Sequence, residues 1–369
     1  MKKGAIYSLI RNDYGLTGKT GTTSLSGLQG VSLVYGLDVG VSPDEKSIDI
    51  KVVSVKANPE LKTFGVARLA NLEFLIQGTD FALGAGLDKA VSSLQGNKGS
   101  SIFGGINASD TQNDVGDGHR AKAAGTHVLI GTVANVSRKK DTDVVAVAYT
   151  EAGWGDITDV NRIRDAKGNT RYFGVGVMGK VIQKDGPSKG VYGQVNLQFG
   201  HTKMDFNSNL SDTAGNRATI NRGSMYGGAG AGIGLQKEIG SSYSVDLLAQ
   251  YKWLKLEKAD INLVGDTVNL DAISSHRTKV GGRLNYTANK RFTPYAGLAW
   301  EHEFSYKSRG SVYGYDLKEA DGSGSSGVGE VGVSFNPDAN GPWSIDANVQ
   351  AYMGQREGIM GRFMANYRF

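Results

Sequence analysis

Five histidines, His119, His127, His201, His276 and His302, are the first residues to test for chemistry in this chain. None stands in a metal-ligand spacing such as His-Glu-x-x-His, where two imidazoles one helical turn apart share an ion. No Gly-x-Ser-x-Gly turn presents a serine nucleophile. The nearest approach to a nucleophile beside a base is Ser274-Ser275-His276, which a serine-rich loop explains as well. Gly227-Gly228-Ala229-Gly230-Ala231-Gly232 contains Gly-x-Gly patterns, but a phosphate cradle needs a helix N-terminus behind the glycines and no helical pattern follows. A smooth strand lying beside a packed helix is the better account. There is no Cys, so disulfides and thiolate metal sites are excluded. The formal charge of +5 is scattered through turns and alternate strand positions, which does not describe a nucleic-acid-binding face. These residues assign no catalytic group, metal or cofactor.

The element that positions them is a two-residue period. In Val191-Tyr192-Gly193-Gln194-Val195-Asn196-Leu197-Gln198-Phe199 the odd positions are apolar or Gly and the even ones are Tyr, Gln, Asn and Gln. Runs of this kind predict twelve strands near 100–112, 124–137, 143–153, 169–182, 190–202, 224–237, 242–256, 276–288, 292–304, 324–335, 343–354 and 359–369. They are longer than the strands of soluble sheets and long enough to cross a bilayer when tilted. Short connections at 138–141, 184–189, 238–241, 289–291 and 336–342 alternate with longer ones near 113–123, 155–168, 203–223, 257–275 and 305–323. That alternation, with 53 Gly and only 39% hydrophobic residues, fits a transmembrane antiparallel up-and-down β-barrel with lipid outside and polar groups inside. Trp154, Trp253, Trp343 and many Tyr supply the interfacial girdles. No run approaches the roughly 18 apolar residues of a spanning helix. Lys2 and Lys3 open a poor signal peptide, so an export signal is expected upstream and the chain reads as a truncated precursor or a detached translocator.

Residues 59–95 break the period. Leu61, Phe64, Leu69, Leu72, Leu75, Ile76, Leu83, Leu87, Val91 and Leu94 recur at mostly three- and four-residue steps, Pro59 suits a first helical turn and Gly96 a stop. Gly78, Gly84 and Gly86 would each cost a surface helix up to about 1 kcal/mol. Inside a bore, small residues let the helix approach the wall. Twelve strands tilted near 40° close to a backbone diameter of roughly 24 Å, which leaves about 10–12 Å, the width of one helix. Some 35 helical residues would reach about 50 Å and plug the pore from end to end.

The last strand places Phe363, Ala365, Tyr367 and Phe369 on one face and Arg362, Asn366 and Arg368 on the other. An aromatic C-terminus of this kind resembles the signal by which the bacterial barrel-assembly machinery recognises its substrates. With Lys62-Thr63-Phe64, Arg68-Leu69-Ala70, Gln77-Gly78-Thr79-Asp80 and the closing Asn366-Tyr367-Arg368-Phe369, residues 59–369 resemble the β-domain of autotransporters (type Va secretion). The resemblance implies a pore helix carrying Leu61, Phe64, Arg68, Leu69, Leu72, Gln77, Gly78, Asp80, Gly84 and Gly86, and an assembly signal in Phe363, Tyr367 and Phe369. It also implies an outer-membrane translocator that carries its own N-terminal passenger to the bacterial surface and holds it there. The partners it implies are outer-membrane lipid, the barrel-assembly machinery and periplasmic chaperones. Residues 1–58, with strands expected at Val31–Val41 and Ile48–Val55, resemble the last piece of a passenger β-helix; 59–98 are the linker helix and 99–369 the barrel. Two alternatives stay open: an outer-membrane hydrolase of phospholipase or omptin type, which needs an outward Ser–His pair or an Asp/His cluster at the rim, and a porin, which predicts about sixteen strands. Self-cleavage in the pore would use Asn58 or Asn71 with lumen acids such as Asp246, Glu301, Glu303 and Asp346, but neither asparagine forms the Asn-Asn junction of the self-cleaving serine-protease autotransporters.

Overall fold

The computed structural model describes residues 2–16, 21–84, 88, 91, 99–138, 141–289, 291–338 and 341–369. In chain order, β1 (Ile6–Arg11), β2 (Thr23–Gln29), β3 (Leu33–Val41) and β4 (Ser47–Ala57) precede a 3-10 turn at Pro59–Leu61 and the helix α1 (Lys62–Ala82). There follow β5 (Ser100–Asp114), β6 (His119–Arg138), β7 (Thr142–Asn161), β8 (Ala166–Gln183), β9 (Val191–Ser211), β10 (Arg217–Ile239) and β11 (Tyr243–Leu256). Two short strands, β12 (Ala259–Leu263) and β13 (Asp266–Leu270), lead to β14 (Ile273–Tyr286) and β15 (Phe292–Ser308). Three more, β16 (Gly310–Val312), β17 (Tyr315–Asp316) and β18 (Ala320–Asp321), precede β19 (Gly324–Phe335), β20 (Trp343–Gly354) and β21 (Arg356–Arg368).

Every neighbouring pair from β5 to β11, and then β14, β15, β19, β20 and β21, is antiparallel, and β21 returns to β5. The result is a closed barrel of twelve strands, with no free edge left to aggregate. All twelve predicted strands are present. Three of the long connections are not: near 113–123, 155–168 and 203–223 the strands continue, leaving tight turns at 115–118, 162–165 and 212–216. In the first, Gly116 and Gly118 at φ 79° and 78° flank Asp117 at φ 60°, a left-handed corner that side chains rarely adopt.

The extensions were illegible for a physical reason. On β9, Val195, Leu197 and Phe199 face outward, whereas from five residues further on it is Met204 and Phe206, on the inner face, that are apolar. On β10, Met225 and Ile233 face out, while Ala218 and Ile220 face in. The alternation survives but its phase reverses. Apolar side chains sit outside along the lower part of the wall and inside along the upper part. The lower band fits a membrane: Tyr243 and Trp253 on β11 are ten residues apart, about 25 Å at a tilt near 40°. Tyr243 packs on Tyr286 and Trp343 on Tyr367 at one margin; Trp154 and Trp300 stand half-exposed at the other.

The predicted strands in 1–58 are β3 and β4; β1 and β2 were not expected. All four form one antiparallel sheet in the order β1-β4-β3-β2. It sits over the loop end of the barrel. Val31, Leu33, Tyr35 and Val52 belong to one apolar core with Leu61, Phe64 and Leu72 of the helix region and with Ile261, Val268, Leu270 and Val312 of the loop strands.

Candidate functional site

The helix begins where the sequence says it should. Asn58 accepts the Glu60 amide at 3.1 Å and donates to the Val31 carbonyl at 2.9 Å, and Pro59 occupies the first turn. Every residue from Lys62 to Ala82 is buried. A helix lying against a surface keeps one face wet, so burial all round places this one inside the bore. Its 21 residues span about 31 Å. The helix ends at Ala82 with Leu83 as its C-cap, and of the expected continuation to residue 95 only Leu83, Gly84, Asp88 and Val91 are among the described residues, Gly86 lying outside them.

The helix has two halves with different chemistry. Leu61, Phe64, Leu69 and Leu72 are packed in the apolar collar made by the upper wall, with Phe64 meeting Phe206 edge-on at 6.3 Å between ring centres. Ties to the rim hold this half. Lys62 donates to the Val115 and Gly116 carbonyls at 3.0 Å each and to Asp117 at 2.6 Å. With Lys318 at 3.0 Å as a second partner, those bonds draw the Asp117 carboxyl down to about 2. Arg68 reaches the carbonyl oxygens of Asp271, at 2.6 Å, and Glu257. Thr63 donates to Asp159, which also holds His119 at 2.8 Å.

The lower half carries polar groups into a polar lumen. Gln77 donates to Thr111 at 2.8 Å and to the Ala123 carbonyl at 2.9 Å, and accepts from Ser109 at 2.7 Å. Glu73 accepts from Thr111 at 2.5 Å and Asn113 at 2.9 Å. Asp80 is the hub: Lys252 lies at 2.9 Å, Arg277 at 3.1 Å and Arg356 at 2.8 Å. Glu73 pairs with Arg356 at 2.8 Å, and Glu301 stands 3.4 Å from both arginines. Four wall strands, β11, β14, β15 and β21, thus converge on one helical turn.

Close approach explains Gly78. A Cβ there would lie 2.0 Å from the hydroxyl of Tyr172, which is itself held by His127 at 3.1 Å. Phe74 lies over the cross-strand pair Gly125 and Gly155, where a Cβ would come within 2.8 and 2.7 Å of its ring. A Cβ on Gly84 would strike Arg362 at 1.5 Å. The Gly-rich stretch of β10 has a different neighbourhood from the one expected: Cβ atoms on Gly228, Gly230 and Gly232 would meet side chains of β9 and β11 such as Gln198, Asn196 and Gln250, not the helix. The inner wall is crowded there by its own long polar residues. Sequence reading missed Glu73, Lys252, Arg277 and Arg356; the usable signal was ionised side chains at inward positions of long strands.

The other sequence candidates separate. Ser275 faces the lumen and donates to Glu303, whereas His276 faces outward onto the Tyr251 hydroxyl at 2.6 Å; Ser274 shares the outward face of His276, but among the described residues no hydrogen bond joins the two. An outward Ser–His contact does exist at Ser325 and His302, 2.8 Å apart. Among the described residues no carboxylate hydrogen-bonds to the other ring nitrogen of His302, and the strand amides that an oxyanion would need are taken up in the sheet. Asn71 accepts from Thr170 and Thr202 at 2.6 and 3.1 Å, and the acids Asp246 and Asp346 are engaged by Tyr192 and Tyr295. Phe363 and Phe369 face outward on β21, and Tyr367 lies between Trp343 and Phe369 at 5.0 and 5.2 Å.

Residues 81–350 match the model of the autotransporter β-domain. The chain belongs to that family. Among solved structures, the transport unit of the autotransporter AIDA-I from Escherichia coli aligns at a TM-score of 0.61 and 16% identity, over 85% of this chain and 99% of that one. The β-domain of the Bordetella autotransporter BrkA gives 0.56 at 14% identity, over 74% and 100%. The translocator domain of NalP from Neisseria meningitidis gives 0.56 at 17%, over 76% and 93%. No curated protein matches the chain in sequence. The autotransporter β-domain is a transport unit of the outer membrane, and this one has the barrel of twelve strands around an internal helix.

Proposed function

We propose that this autotransporter β-domain delivers a covalently attached N-terminal passenger to the bacterial surface and then anchors it there. The observation that carries this reading is the helix: it is buried all round in the lumen, and the chain N-terminal to it leaves at the loop end into a folded sheet. A chain so threaded has one end on each side of the barrel. The loop end with residues 1–58 is then extracellular, and Phe369 is periplasmic. Residues 59–98 are the linker that stays behind as a plug, 99–369 the barrel, and 1–58 the passenger-proximal segment. Lipid contacts the outward band, periplasmic chaperones carry the unfolded chain, and the assembly machinery reads Phe363, Tyr367 and Phe369. Without ATP in that compartment, passenger folding outside and barrel closure supply the drive. No catalytic role is assigned to any residue.

The test is refolding in detergent, comparison of boiled and unboiled mobility on gels, and planar-bilayer recording with and without residues 1–98. A heat-modifiable barrel that conducts little when complete and opens when the helix is removed supports the reading. A large open conductance in the complete chain returns the porin alternative, and a protein that stays soluble without detergent refutes the membrane reading.

A further inference from the structure

The phase reversal of the wall marks a boundary on its outer surface, and one part of that boundary is chemically distinctive. On β8 and β9, Arg171 and Lys203 are direct cross-strand partners, and both belong to the outward set. Like charges placed opposite each other weaken a sheet unless something neutralises them. Among the described residues, no carboxylate lies within salt-bridge distance of either. The outward acids nearest in register are Asp156 on β7 and Asp205 on β9; each is a diagonal neighbour of Arg171, and both are paired with Asn169. His201 lies on the same outward face, its ring over Gly223, where a Cβ would come within 2.6 Å of Nε2.

Immediately below these cations the surface is aromatic. Trp154, Phe173 and Phe199 are 53%, 59% and 63% exposed. Arg171 is the register partner of Trp154, and His201 of Phe173. Two residues of a strand tilted near 40° separate Phe173 from Arg171, about 5 Å along the barrel axis. The cations therefore stand at headgroup height above an aromatic, acyl-chain-facing band.

We propose that Arg171 and Lys203, flanked by His201, bind the phosphate of a membrane lipid whose acyl chains lie along Trp154, Phe173 and Phe199. A phosphate between the two cations takes charge-assisted hydrogen bonds from both and removes their repulsion. A lipid fits better than a free anion because the apolar wall below gives its chains a matching surface. The inference rests on the membrane reading and, for the leaflet, on the loop end being extracellular. It makes this side of the barrel a lipid-recognition face in addition to a pore wall.

The experiment uses the full chain refolded in detergent and a double variant, Arg171→Glu with Lys203→Glu, both at outward positions clear of the helix. Bisphosphorylated lipid A, its dephosphorylated form with the same acyl chains, and inorganic phosphate are each titrated. The readouts are native mass spectrometry and the temperature at which the compact gel band is lost. Lipid A is expected to bind the parent chain and raise that temperature, and to bind the double variant at least about tenfold more weakly, since both cations that hold the phosphate become acids that repel it. Arg171→Lys with Lys203→Arg should restore binding. Equal binding to the double variant, or equal binding of the dephosphorylated lipid, overturns the proposal. An equal response to inorganic phosphate overturns it in favour of a free-anion site. Absence of any heat-modifiable band overturns the membrane reading itself, whereas a normal band indifferent to the lipid's phosphates overturns only the lipid site.

Discussion

Replacing Asp80 with Ala should unseat the helix. Asp80 is 7% exposed and is in contact with Lys252, Arg277 and Arg356. Arg277 and Arg356 keep Glu301, and Arg356 also keeps Glu73, so their loss is partial. Lys252 has its salt bridge to Asp80 alone among the described residues and is left as an unpaired charge in the wall. Removing one partner of a buried ion pair costs about 3–5 kcal/mol, and neighbouring carboxylates that can share the charge argue for the lower end. At about 1.4 kcal/mol per decade, the ratio of seated to unseated helix should fall by two to three orders of magnitude. In planar bilayers the parent chain should conduct rarely, and the Ala variant should show long openings. Those openings should favour anions, because the cluster has then lost one negative charge and Lys252 lines the path unpaired. Adding Lys252→Met to Asp80→Asn should recover part of the closed time, since that pair removes both charges together. An Ala variant as closed and as heat-resistant as the parent, with unchanged ion selectivity, refutes the argument that this cluster holds the helix.

Three further outcomes follow from the same geometry. Gly78→Ala should lower the unfolding midpoint by several degrees, as overpacking costs about 1–3 kcal/mol, and Tyr172→Phe in the same chain should return part of it by removing the oxygen 2.0 Å from the added carbon while the ring carbon stays 2.8 Å away; no relief in the double variant places the strain elsewhere. The Lys62–Asp117 tie should be pH-dependent in a defined direction. The folded carboxyl sits at about 2 against its ordinary 3.8, so its contribution is present above pH 4 and is lost as pH falls toward 2. Hydrogen exchange of the 115–118 turn should therefore stay constant from pH 7 to 4 after correction for intrinsic rates and accelerate below, while Asp117→Asn should exchange fast throughout; a parent turn indifferent to acid contradicts the assignment. Deleting Phe369, whose amide donates to the Ser100 carbonyl at 3.0 Å where the barrel closes, should reduce barrel in the outer membrane without reducing synthesis. Normal barrel yield in that variant counts against the assembly signal.

The sequence by itself determined the strand count, the helix start and the closing strand, because each rests on a local, repeated signal. Val195, Leu197 and Phe199 alternate with polar neighbours over a span set by the membrane, and Asn58-Pro59 caps a helix using only adjacent residues. The aromatic face of β21 needs no partner to be seen. What only the tertiary structure decided concerns groups brought together from distant parts of the chain. Asp80 meets Lys252, Arg277 and Arg356 because three strands, β11, β14 and β21, face one side of the helix across the lumen, and no local pattern encodes that meeting. The strand extensions belong to the same class: Met204, Phe206, Ala218 and Ile220 look out of phase until the apolar first half of the helix is known to lie inside them. Likewise, β1 and β2 are exposed along almost their whole length and add no residue to the core that Leu33, Tyr35 and Val52 share with Ile261, Val268 and Val312, so only their pairing with β4 and β3 reveals them as strands. Periodicity reports which side of a strand is apolar; only the fold says whether lipid, water or a helix is on that side.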